Sequence, residues 1–366
     1  MRQKVLKNFR ILTINPGSTS TVVAVFRNEE LQIQCNLSHS SLELSSYNKI
    51  SDQYEFRSQV VLDFLKNNNI KLNSFDAIVG RGGEIKPIKS GTYRINELMI
   101  EDLKERPRVE HASNLGAIIA HKLAQKINKP AFIVDGISVD EFDPLARISG
   151  IPEIEKESLT HALSLKAAAR RAARDLNKNY QDLNLVVIHL GGGISVSAHY
   201  KGRLIDSNCA TTDGPFSPER SGSLPSRQLV KMCYSGKYSK EEMLKKINGR
   251  GGLVAYLGTN NTLEIEERIS NGDKKAELIY KAMAYQIAKE IGGKAAVLKG
   301  EVDAIVFTGN LLRGKGALGN TFLDWIKERV QFIAPIIVYP GSDELKAMAR
   351  GAIRVLRGTE KAEEYT

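Results

Sequence analysis

Cysteine is scarce. Cys35, Cys209 and Cys233 are the three in 366 residues, widely spaced and without a CxxC pair. Such usage argues against a disulfide framework or a cysteine zinc site and fits reduced thiols in a cytoplasmic protein. Long apolar runs are also missing, and none approaches the roughly 18 residues a membrane span needs. The N-terminus, Met1–Arg10, is basic but moves directly into a short strand, without the organisation of a signal peptide. Six histidines include no HExxH or other zinc spacing. A P-loop is absent, since Gly236-Lys237 is followed by Tyr238 where the motif needs Ser or Thr. One GxGxxG occurs, Gly314 to Gly319, but it begins seven residues beyond the strand ending at Phe307. A dinucleotide fold places its first glycine at once, so a flexible loop explains this match better than a nicotinamide site.

The composition, 42% hydrophobic and 26% charged, is that of a globular chain long enough for two or three domains. A net charge of +10 raises the possibility of nucleic acid. Lys166, Arg170, Arg174 and Lys178 would form one helix stripe, yet no aromatics interleave with them and no binding module is recognisable. A solvated helix face is the simpler expectation. The same field would attract anionic substrates.

Strand-like and helical runs alternate, which predicts an α/β fold. Two stretches repeat one pattern. Leu12–Asn15 runs into Pro16-Gly17-Ser18-Thr19-Ser20 and out through Val22–Phe26, and Val186–Leu190 runs into Gly191-Gly192-Gly193 and out through Ile194–His199. Each is followed by a further turn and strand, at Leu31–Ile33 and Leu204-Ile205. A strand–turn–strand offering backbone N–H groups and hydroxyls can cradle phosphate. Two of them suggest a duplicated fold gripping one nucleotide from both sides. Helices are expected at Glu55–Asn67, His111–Lys126, Ser158–Leu176, Glu277–Lys299, Thr321–Phe332 and Asp343–Leu356. Strands are expected at Ala77–Val79, Ala131–Val134, Ala304–Phe307 and Ile336–Tyr339. Asp213–Pro225 is expected as a loop too polar for a core, and Gly358–Tyr365 as a frayed tail. Gly150-Ile151-Pro152 is a plausible domain crossing.

Among the histidines, His39, His121 and His199 have no special context, whereas His111, His161 and His189 adjoin polar or glycine-rich turns. Arg220 stands in a loop of rigid prolines and free glycines, and Arg81 among three glycines after a buried strand. A guanidinium matches a phosphoryl or carboxylate group and keeps its charge. Glycine neighbours let a small ligand approach the backbone.

Taken together, Asn15-Pro-Gly-Ser-Thr-Ser-Thr, Gly80-Arg-Gly-Gly, Glu110-His-Ala-Ser-Asn, His189-Leu-Gly-Gly-Gly and Asp213-Gly-Pro-Phe-Ser-Pro-Glu-Arg-Ser-Gly resemble the butyrate kinase family. Gly252-Leu-Val-Ala-Tyr-Leu-Gly-Thr, Tyr339-Pro-Gly and Ala352-Ile-Arg-Val-Leu-Arg-Gly extend the likeness over essentially the whole chain. That family is similar to acetate and propionate kinases, of the actin and hexokinase superfamily. The resemblance implies a duplicated ribonuclease H-like, actin-like ATPase fold of two domains with an interdomain nucleotide cleft. Residues 1–150 plus about 345–366 would form the N-terminal acid-kinase domain and 151–344 the nucleotide-binding domain.

The implied reaction is butanoate plus ATP giving butanoyl phosphate plus ADP, with Mg²⁺, in a homodimer or higher oligomer and without nucleic-acid or membrane partners. The resemblance places Asn15 near metal and phosphates, with Ser18 and Ser20 in a first phosphate loop. His189, Gly191, Gly192 and Gly193 would form the second. His161 and Arg220 would stabilise the transferring phosphoryl group, and Arg81 would hold the substrate carboxylate. Asp135 would align the site or contact metal-bound water. Thr259, Asn260, Gly309 and Asn310 would border the adenosine. Four positions depart from the pattern: Val22 replaces a usual lysine, Asn310 a glycine, Asn261 an aspartate, and Gly136 a frequent proline.

Overall fold

The computed structural model describes residues 8–108, 110–313, 316–341 and 343–366. Among them are twelve strands. They are β1 (Arg10–Pro16), β2 (Ser20–Arg27), β3 (Glu30–Ser38), β4 (Ala77–Gly80), β5 (Thr92–Arg94), β6 (Ala131–Val134), β7 (Asn184–Leu190), β8 (Ile194–Tyr200), β9 (Arg203–Ser207), β10 (Ala304–Gly309), β11 (Ile336–Pro340) and β12 (Glu363–Glu364). The chain divides into two compact units, Met1–Val139 with Asp343–Thr366, and Asp140–Ser342.

Each unit is built on one mixed sheet. The first runs β12-β5-β6-β4-β1-β2-β3 and the second β11-β10-β7-β8-β9. Antiparallel β1–β2–β3 with parallel β4 and β6 repeats as antiparallel β7–β8–β9 with parallel β10 and β11. Even the irregularity recurs: the register shifts at Val25/Phe26 in one and at Ala198/His199 in the other. The duplication expected from the repeated hairpins is therefore present at the level of sheet topology.

Local chemistry explains the hairpins. The β2–β3 turn places Asn28 at φ 52°, and the β8–β9 turn places Lys201 and Gly202 at φ 48° and 85°. Left-handed turn residues match the twist of paired strands. Burial on both faces makes the central strands continuously apolar. Every residue of β7 is buried. Val186, Ile188 and Leu190 pack beneath helix Lys274–Val297, while Leu185 and Val187 pack against helix Ala162–Asp175.

Four expectations need correction. The tail does not fray: β12 pairs parallel with β5, and Tyr365, 2% exposed, enters the first unit's core with its hydroxyl donating to Asp102 at 2.7 Å. The basic stripe is solvated only in part: Arg174 and Lys178 are exposed, but Lys166 is fully buried against Glu141 and the Gly202 carbonyl. Asp213–Pro225 is irregular, yet Pro215–Pro218 is buried and Phe216 joins the apolar core. Helices expected from His111 and Ser158 begin at Asn114 and Ala162. The segments before them carry the polar turns instead. Of the GxGxxG run, Gly314 and Lys315 lie outside the described residues. No described helix is long and apolar enough to cross a membrane.

Candidate active site

In the second unit, parallel β7 and β10 end side by side, with His189 paired to Thr308. The C-terminal edge of parallel strands is where open α/β sheets receive ligands. Beyond β7 the chain turns tightly, the Gly191 amide donating to the Gly193 carbonyl at 3.2 Å. Beyond β10 stands Gly309 at φ 120°, where a Cβ would lie 2.1 Å from the Leu190 carbonyl oxygen. Only glycine fits there. Asn310 follows, exposed, as the first residue of a short 3₁₀ turn.

His161, immediately before helix Ala162–Asp175, stacks on His189 with ring centroids 4.2 Å apart and planes at 22°. Its Nδ1 lies 2.9 Å from Ser195 Oγ on β8. His189 is 6% exposed, and its Nε2 sits 2.9 Å from where a Gly191 Cβ would stand. Arg220 closes the cluster. A Cβ on Gly193 would be 2.2 Å from Arg220 Nη1 and 3.2 Å from His161 Cε1. The glycine therefore lets backbone, guanidinium and imidazole meet.

The loop bearing Arg220 is fastened rather than loose. Arg220 bridges Asn248, the Ser221 amide donates to the Ile247 carbonyl at 2.9 Å, and Ser217 Oγ donates to the Gly192 carbonyl at 2.5 Å. Only glycine fits at position 252, where φ is 57° and a Cβ would overlap the Ser217 carbonyl. Arg220 Nη1 donates to the Ala210 carbonyl at 2.9 Å, while its buried Nε has no protein acceptor among the described residues. Burial pulls the guanidinium below its ordinary pKa, opposed by neighbouring Glu219 and Cys209. It remains a cation at any physiological pH. Asn260 Nδ2 reaches Glu219 at 3.4 Å, and Thr259 Oγ1 donates to Glu264. Asn261 caps helix Thr262–Ser270, its Oδ1 accepting from the Leu263 amide at 3.1 Å. An aspartate would cap it equally well, so that departure preserves the local structure.

The first unit assembles a second set at the ends of β1, β4 and β6. Asn15 Nδ2 donates to Glu344 Oε2 at 3.2 Å, and Arg81 Nη1 lies 3.2 Å from the same oxygen. Glu344, first residue of helix Glu344–Leu356, is a functional candidate that the sequence did not single out. Its signal was an acid opening a helix just after Tyr339-Pro-Gly. Val22 pairs with Asn15 across the β1–β2 ladder. Asp135 follows β6 at φ 40°, 1% exposed, its carboxylate accepting from the Gly91 amide at 2.9 Å. Gly82 packs on Gly136, where a Cβ would come within 2.9 Å of the Gly136 Cα. Ser18 is exposed and Ser20 half-buried at the β1–β2 turn. His111 Nδ1 bonds Ser113 Oγ at 2.9 Å, the role of a turn former.

No group of three His, Cys, Asp or Glu able to hold a metal occurs among the described residues. Mg²⁺ needs none, since it keeps waters and is held through one or two carboxylates and substrate phosphates. The oxygens of Asn15 and Glu344 are of the right hardness for such partial ligation.

Residues 158–318 match the family model described as the Acetokinase family. All second-unit candidates, from His161 to Asn310, fall within that span. Among solved structures, the chain is similar to the acetate kinase of Porphyromonas gingivalis, with TM-score 0.79 and 18% identity over 95% of this chain and 100% of that one. A propionate kinase from Francisella tularensis subsp. tularensis gives TM-score 0.71 and 21% identity over 94% and 98%. The acetate kinase of Entamoeba histolytica gives 0.74 and 18% over 93% and 98%. The fold is thus that of the acetate kinases, an α/β fold with one mixed sheet in each unit. Over residues 158–318 the sequence carries the Acetokinase signature as well.

Proposed function

We propose that this protein is a short-chain carboxylate kinase that transfers the γ-phosphoryl group of ATP to a carboxylate, releasing ADP and an acyl phosphate. Butanoate is the assigned acid, on the resemblance of the whole ordered set of motifs to butyrate kinases. The observation that carries the reading is the cluster of His161, His189, Gly193 and Arg220 at the ends of β7 and β10.

A carboxylate is already a nucleophile, so the reaction needs no strong base. One carboxylate oxygen forms a bond to the γ-phosphorus, the bond from phosphorus to the bridging oxygen breaks, and the electron pair leaves on ADP. The task is to align two anions and stabilise charge on the moving group. We assign Arg220 and His161 to the transferring phosphoryl group, with Arg220 Nε and the edge of His161 as donors. His189 and Gly191–Gly193 are assigned to the nucleotide phosphates, and Thr259, Asn260, Gly309 and Asn310 to the adenosine. Ser18 and Ser20 belong to the first phosphate turn. Asn15, together with Glu344, is assigned to the magnesium ion, which when bound neutralises phosphate charge. Arg81 is assigned to the acid's carboxylate and Asp135 to holding the β6 end in place. Helix Ser226–Cys233 buries none of its residues and leaves Val230 and Met232 exposed, which supports a homo-oligomer.

The test is a kinetic panel of straight and branched C2–C6 acids with MgATP. Highest kcat/KM with butanoate is expected. A methylene is worth only about 1–3 kcal/mol, so neighbouring acids should follow within roughly 10–200-fold. Preference for acetate would overturn the butanoate assignment while keeping the class.

A further inference from the structure

The largest fully buried side chain among the described residues is not part of any motif. Arg57, in helix Tyr54–Asn67, is 0% exposed and lies directly beneath the Gly17–Ser20 turn. Its Nη1 donates to the Gly17 carbonyl at 2.8 Å and the Ser20 carbonyl at 3.0 Å, with Thr21 Oγ1 at 3.3 Å. Nη2 donates to the Ser18 carbonyl at 3.0 Å and to Gln53 Oε1 at 2.8 Å, and Nε donates to the same Gln53 oxygen at 3.1 Å. Every acceptor is neutral, and no carboxylate makes an ion pair with Arg57 among the described residues. Buried cations are ordinarily paired. His39, which reaches Thr21 Oγ1, is held below its ordinary pKa, first by burial and then by Arg57, and adds no negative charge.

The geometry has a consequence on the opposite side of the turn. In a planar trans peptide the carbonyl and the next amide point in opposite directions. With the Gly17 and Ser18 carbonyls drawn down to the guanidinium, the Ser18 and Thr19 amides point away from it. Both residues are exposed, and neither amide donates to a protein acceptor among the described residues. Aligned outward amides form an anion-receiving concavity. A fixed positive charge behind them, taken out of water, strengthens it.

We propose that Arg57 is a positioning residue for nucleotide phosphate: it holds the Gly17–Ser20 turn with its amides outward and supplies, from beneath, a positive charge to the anion bound above. The proposal rests on the carboxylate-kinase reading, which puts Ser18 and Ser20 at the phosphates. It also explains how the turn can bind phosphate with Val22, not a cation, beside Asn15.

Gln53→Glu separates charge from scaffold. The variant retains the acceptor for Nε and Nη2 and cancels the guanidinium charge. Equilibrium binding of MgATP and of AMP to the full chain is measured beside a thermal melt. The expected result is MgATP weakened about tenfold, the scale of a charge-assisted contact, with AMP within twofold and an undiminished Tm. Adding Val22→Lys should restore most of the MgATP affinity. A folded Gln53→Glu protein with unchanged MgATP affinity, or with MgATP and AMP weakened alike, overturns the role of Arg57. If Gln53→Glu does not fold, Arg57→Lys poses the same question. A Kd ratio of AMP to MgATP near wild type supports the charge, and its collapse in a folded protein overturns it. Wild-type protein that binds no MgATP refutes the kinase reading itself.

Discussion

Replacing Gly193 by alanine tests the packing at the heart of the second-unit cluster. The new methyl would lie 2.2 Å from Arg220 Nη1 and 2.7 Å from Cζ, whereas ordinary contact begins at 3.4 Å. The guanidinium must retreat by more than an ångström. It cannot do so and keep the 2.9 Å bond from Nη1 to the Ala210 carbonyl unchanged. Misplacing a catalytic group by about 1 Å costs roughly 10²-fold in rate. The atoms displaced are the end of a flexible side chain, so the fold should persist. We therefore expect kcat for MgATP and butanoate to fall about 10²-fold, with Tm close to wild type. Gly293→Ala, on helix Lys274–Val297 of the same unit, is the control. Its methyl would meet nothing within 4 Å, and kcat should stay within about threefold. Coupled detection of ADP gives kcat, and differential scanning calorimetry gives Tm. A Gly193→Ala enzyme as fast as wild type would refute the Arg220 assignment, as would equal losses in both variants.

Arg220→Ala should lower kcat about 10³-fold, by analogy with transition-state arginines, measured in the same assay; a near-wild-type rate would sink the role. Gly309→Ala should destabilise the second unit by at least about 3 kcal/mol in urea unfolding, because its Cβ would collide with the Leu190 carbonyl at a φ of 120°. Tyr365→Ala should cost about 3 kcal/mol, the scale for emptying a buried aromatic site; a loss below 0.5 kcal/mol would return the tail to a frayed end. Glu266 tests pH dependence. Burial raises its carboxyl above the usual carboxylate range, against bonds from Tyr280 and the Leu318 amide. A raised folded pKa favours the fold while the group is protonated, and that contribution is lost as pH rises through the folded value. Glu266→Gln should thus gain stability on wild type at pH 8 but not at pH 4, in parallel urea titrations.

Periodicity and turn chemistry made the duplicated hairpins, the alternating architecture and most helix ends legible in the sequence. Where local pattern misled, distant contacts decided. Glu363 and Glu364 carry no strand signal, and their pairing comes from the β5 edge, itself only three residues long. Lys166 looks solvated at helical spacing until Glu141, distant in sequence, folds onto it. Phe216 sits in a polar loop and shares a core with helix Lys274–Val297, whose Gln286, 70 residues onward, also accepts from its amide at 3.2 Å. At the candidate site, glycine and proline neighbours mark His189 and Arg220 in the sequence, whereas His161 adjoins only a polar turn and enters through the family resemblance. Glu344 and Arg57 were passed over, since an acid in a helix start and a basic residue in a helix are everywhere. Only the fold brings the one to Asn15 and Arg81, and the other beneath the first turn. Val22 appears in the sequence as a missing charge, and Arg57 gives a physical account of how the turn can do without it.

The most direct test of the account is product trapping. Purified protein with MgATP, butanoate and hydroxylamine should yield butanohydroxamate in proportion to ADP released, and heat-denatured protein should yield none. ATP binding without hydroxamate from any C2–C6 acid would contradict the account and leave a nucleotide-binding clamp with the acetate kinase fold.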